Sequence, residues 1–83
     1  MTVQKMLNTA ELFGCKLPIA KAEFAKMSVP RRVLNEFGEA IEVINSYRED
    51  YPDELLKGFQ TLIEKGLYVI HQRALENRWA DYE

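Results

Sequence analysis

The feature that most restricts this chain lies between Leu55 and Ala74. There Leu55, Leu56, Phe59, Leu62, Ile63, Gly66, Leu67, Ile70 and Ala74 recur at steps of three and four residues. That period belongs to a helix with one apolar side. One point interrupts it, the stretch EKGLYVIHQ, where Gly66 could end the helix and LYVI could form a strand. Continuation is the expectation. Gly66 falls on the apolar stripe, where a missing side chain lets another helix come close, and a strand of four residues would have nothing to pair with.

The rest of the chain carries the same period. Val3, Met6, Leu7, Ala10 and Phe13 predict a first helix over about 3–13, stopped by Gly14. Ile19, Ala20, Phe24 and Met27 predict a short second helix over about 18–27, with Pro18 in its first turn. In MSVPRRVLNEF, Ser28 is positioned to cap a third helix running to about Tyr47, with Pro30 in its first turn. Val33, Leu34, Phe37, Ile41 and Ile44 face inward, together with Val43 and Tyr47. REDYPD ends that helix, because Pro52 biases Tyr51 away from helical angles while Asp50 can cap the next helix. The expected architecture is all-α: a small compact bundle of about four helices in one domain, residues 1–83, two short and N-terminal, two long and antiparallel.

With 83 residues, one layered core is within reach and little more. Apolar residues make up 47% and charged residues 29%, ordinary for a globular domain, and no apolar run is long enough to span a bilayer. MTVQKMLNTAELFG has no basic segment followed by an apolar one, so no secretory signal and a cytoplasmic location are expected. Cys15 is the only cysteine, which excludes an internal disulfide and a cysteine-based zinc site within one chain. The net charge of -2 hides an asymmetry. Residues 1–32 carry six basic groups against two acids, whereas residues 33–64 carry two basic groups against eight acids. A basic side and an acidic side would steer partners or pair two copies.

Little in the sequence points to catalysis. His71 is the lone histidine and has no serine or cysteine at a suggestive helical spacing, so it reads as a surface or half-buried residue. Cys15 follows the end of a helix, where the dipole raises a thiol pKa, and reads as a small buried apolar group. Glu36, Glu39 and Glu42 form a row at steps of three along one helical edge. The stretch NEFGEAIE, residues 35–42, resembles the first acidic motif of the all-α nucleotide pyrophosphohydrolases. That resemblance implies Mg²⁺ on the row and an E-x-x-D motif on the next helix. The matching position is ELLK, with Lys57 where the aspartate would stand.

A second resemblance is to the helix-turn-helix family, carried by AEFAKMSVPRRVLNEF. Val29, Leu34 and Phe37 match spacings of that family's second helix. It implies that Arg31, Arg32 and Asn35 point toward bases or phosphates. The chain departs from the pattern at Glu23 and Phe24, where a core residue and a small residue are usual, and at Ser28, in place of the turn glycine.

The reading preferred over both is a non-enzymatic protein-binding module with no cofactor and no metal. It is of the kind found among small bacterial or phage inhibitors, immunity proteins and antitoxins. The candidate protein-binding residues are Glu36, Glu39, Glu42, Tyr47, Glu49, Asp50, Tyr51 and Asp53. The acids steer a partner with a basic surface, and the nearby aromatics bury against it. Trp79 and Tyr82 lie in the polar tail ENRWADYE, either folded back on the domain or exposed as anchors. A homo-oligomer is compatible with the charge asymmetry.

Overall fold

The computed structural model describes residues 1–80. They form four α-helices and one 3-10 turn, with no strand among the described residues: α1 Val3–Leu12, α2 Lys21–Ala25, α3 Arg31–Ser46, a turn over Arg48–Asp50, and α4 Asp53–Glu76. Residues 66–71 continue α4 as helix.

Local chemistry accounts for most of the ends. The Lys5 N–H donates to the Thr2 hydroxyl at 3.1 Å, capping α1. At its other end Gly14 takes φ +95°, and the Cys15 N–H reaches back to the Ala10 carbonyl at 3.0 Å. Helix α2 is shorter than the spacing predicted. Its first amide bonds return to Ala20, whose backbone is extended, and Pro18–Ile19 form a bend ahead of it. Long-range ties hold the chain just upstream. The Lys16 N–H donates to the Glu64 carboxylate at 2.7 Å, Gln60 Nε2 donates to the Gly14 carbonyl, and the Cys15 thiol lies 3.8 Å from the Gln60 carbonyl.

Ser28 does not cap α3. Pro30 occupies the cap position with an extended ψ of 140°, and no side chain bonds the first turn. A proline lacks the amide that a preceding cap would otherwise satisfy, and its fixed φ sets the entry angle without a hydroxyl. Asp50 likewise lies in the 3-10 turn and caps nothing; Pro52 leads into α4, and Asp53 and Glu54 place negative charge at its positive end.

Helices α3 and α4 run antiparallel as a hairpin. Phe37 of α3 lies against Gly66 of α4, where an added Cβ would stand 2.5 Å from the ring. At the turn, Tyr51 meets Phe59 edge-on at 5.3 Å. Helices α1 and α2 cover one side of this hairpin. Met1 lies over Gly38, and its amino group donates to Asn35 Oδ1 at 3.1 Å. Phe24 of α2 is fully buried, with its ring 5.7 Å from that of His71 on α4. The core gathers Met6, Leu7, Ala10, Phe24, Ile41 and Leu67 at its centre.

Four residues expected to face inward do not: Val43, Tyr47, Leu55 and Leu62 are exposed. Their helices each have one side against α1 and α2, and these residues lie on the opposite side, which no described residue covers. Trp79 is folded back and 3% exposed, packed with the core. Tyr82 lies outside the described residues. No helix among the described residues is long and apolar enough to cross a membrane.

Candidate interaction surface

The carboxylates named from sequence do not form one face. Glu36 receives Arg32 Nε at 3.2 Å, one helical turn away, and Glu42 lies 3.8 Å from Lys5 of α1. Part of the basic first third is therefore spent on the chain's own acids; Lys21 also pairs with Glu11 at 2.8 Å and Lys26 with Glu23 at 3.8 Å. Glu39 stands exposed between the two engaged members of its row. No group of three or more His, Cys, Asp or Glu residues stands in metal-binding proximity among the described residues.

What remains is concentrated at the α3–α4 turn. Glu49 and Asp50 in the 3-10 turn, and Asp53 and Glu54 in the first turn of α4, are all exposed and form no ion pair among the described residues. Arg48 sits among them but is turned away. Its guanidinium donates to the Leu12 carbonyl at 3.2 Å and to Asn45 Oδ1 at 3.4 Å, 5.7 Å from the centre of the Phe13 ring. That places a cation at the C-terminal end of α1, where the exposed carbonyls favour one. Beside the acids, Tyr47 is 53% exposed, while Tyr51 is half-buried against Phe59. Of the eight candidates, Tyr47, Glu49, Asp50, Tyr51 and Asp53 are brought together at this tip. Glu36, Glu39 and Glu42 lie along α3 away from it.

The residues singled out for nucleic acid separate too. Arg31 is exposed without an ion pair among the described residues, Arg32 is held by Glu36, and Asn35 is half-buried under Met1. His71 and Cys15 are both buried. No hydrogen bond satisfies His71 Nδ1 among the described residues, and the ring lies against Phe24, deeper than a surface or half-buried histidine. Burial, helped by the Glu64 charge, pushes the Cys15 thiol from 9.0 up to about 11.

Sequence reasoning missed the open side of the hairpin. A groove of about 480 Å³ runs along it, walled by Val33, Phe37 and Ala40 of α3 and by Gly66 and Val69 of α4. Glu36, Ile70, Arg73 and Trp79 complete its lining. The signal was present as doublets seven residues apart, Leu55-Leu56, Leu62-Ile63 and Val69-Ile70. Neighbouring helical residues point about 100° apart. One member of each doublet therefore enters the core side while the other faces outward, and Leu55, Leu62 and Val69 are 43%, 64% and 51% exposed.

No protein-family model, curated protein or solved structure matches the chain.

Proposed function

We propose that this chain is a non-enzymatic, inhibitor-like protein-binding module of the cytoplasm that occupies a partner with a basic surface, using the tip of the α3–α4 hairpin as its contact. The observation that carries this reading is the cluster Glu49, Asp50, Asp53 and Glu54, exposed and without ion pairs among the described residues. Elsewhere many of the acids on helices are neutralised by bases of the same chain. An uncompensated acidic patch raises the encounter rate with a basic surface and disfavours acidic competitors. Tyr47 beside it supplies area to bury and a phenol to bond.

The test is affinity purification from the native cell, with the partner identified and its affinity measured against Asp50→Lys/Asp53→Lys. Binding should fall by about tenfold or more, mainly through the association rate, and the wild-type rate should drop as salt rises. Unchanged affinity in the double variant would reject the tip as the contact.

A further inference from the structure

We propose that Met1 is a reversible oxidation site, at which hydrogen peroxide converts the thioether to a sulfoxide and loosens the hold of α1 on α3. The Met1 side chain lies across the middle of α3, over Gly38. A Cβ on Gly38 would overlap the Met1 sulfur and stand 3.0 Å from its terminal methyl carbon. Glycine is a poor residue for a helix interior, and Gly38 is buried there, so its missing side chain serves as the seat of the sulfur. Two further ties hold this end of α1. The Met1 amino group donates to Asn35 Oδ1 at 3.1 Å, and Lys5 lies 3.8 Å from Glu42. The second of these is a solvent-exposed ion pair and contributes little.

The reaction is a two-electron oxygen transfer. The sulfur attacks one peroxide oxygen, the O–O bond breaks as the S–O bond forms, and the departing hydroxide takes the proton of the transferred hydroxyl and leaves as water. The sulfur is oxidised and the peroxide reduced. The product is a polar group where a flexible apolar one had packed against backbone. Either the new oxygen faces α3 and gives up its water, or the side chain turns outward and uncovers Gly38. Both outcomes weaken the contact between the two helices. Competing targets are better shielded or less exposed to change: Met6 is fully buried, and Met27 is half-buried against the core. Cys15 is buried with its thiol held in the protonated form, which is the slow form toward peroxide.

The experiment treats the full chain carrying Met27→Leu, a volume-conserving change, with hydrogen peroxide. Peptide mass spectrometry reads which residues gain oxygen, and urea unfolding reads stability. Met1 should gain one oxygen while Met6 gains none, and the unfolded-to-folded ratio should rise by about tenfold. Methionine sulfoxide reductases, one for each sulfoxide epimer, supplied with dithiothreitol should return both to their starting values. In a chain that also carries Gly38→Ala, where the Cβ has already displaced the Met1 side chain, the same oxidation should change the ratio by less than about twofold. Met1 oxidised without a change in the ratio overturns the proposal, as do equal changes in the two chains or oxidation of Met6 ahead of Met1. Should Gly38→Ala fail to fold by circular dichroism, the cycle of oxidation and repair at Gly38 decides alone: a loss that the reductases do not reverse rejects Met1 as the site.

Discussion

At Gly66 a hydrogen in place of a side chain makes room for an aromatic ring from the neighbouring helix. Its Cβ, if present, would stand 2.5 Å from two atoms of the Phe37 ring. A glycine inside a helix costs about 0.5–1 kcal/mol relative to alanine, so substitution would ordinarily stabilise α4. Here the crowding outweighs that gain, since overpacking costs about 1–3 kcal/mol. Gly66→Ala should therefore lower stability in urea unfolding by about 1 kcal/mol. In a Phe37→Leu background the same change should cost less or become stabilising, because the ring it strikes is gone. Stabilisation by Gly66→Ala alone would show that the ring does not fill this space. That position 66 would leave room for something from another helix was legible in the sequence, because Gly66 sits on the apolar stripe; what fills the room is the Phe37 ring. That neighbour was not legible, since nothing local ties position 66 to position 37.

At the scale of elements, the termini separate into those written locally and those set by what they touch. Gly14 stops α1 where its pattern stops, because the left-handed turn there needs a residue without a Cβ. Helix α4 ends on Asn77, which takes φ 53° and ψ 43° and lets the Arg78 N–H reach the Arg73 carbonyl at 2.9 Å. That reversal turns Trp79 back under the helix. Asn77→Ala should cost about 1 kcal/mol in urea unfolding, whereas Asn77→Gly should be neutral or slightly stabilising. Equal effects of the two would mean the left-handed turn is not what holds the end. By contrast, α2 is shorter than its apolar spacing, because the upstream chain is tied to Gln60 and Glu64 of α4. Those partners are more than forty positions away, and no local pattern announces them.

For the molecule as a whole, Cys15 joins α1, the following loop and α4, so its ionisation bears on global stability. The folded thiol titrates near 11 against 9.0, mainly through burial and then through Glu64. A pKa raised in the folded state means that the unfolded chain releases its proton first. The stability Cys15 contributes is thus fully present below about pH 9 and is lost as pH rises through about 11, by roughly 1–3 kcal/mol. Urea midpoints of wild type should fall between about pH 8.5 and 10.5 more steeply than those of Cys15→Ala. Parallel declines would assign the loss to other groups.

The candidate surface was legible only in part, and for a related reason. The sequence locates acids, and helical spacing alone puts Arg32 within reach of Glu36, but Lys5 reaches Glu42 only once α1 stands beside α3, and the tip is left without an ion pair among the described residues. Helix number, helix type, the turn at Gly14 and the continuity through Gly66 follow from periodicity and backbone sterics, which act over a few residues and so are properties of each segment. Which member of each doublet is buried, and so whether Leu62 faces the core or stands exposed, depends on the side of the hairpin that α1 and α2 cover. That side is chosen by long-range packing, through Met1 over Gly38 and Phe24 against His71, and no spacing within a single helix encodes it.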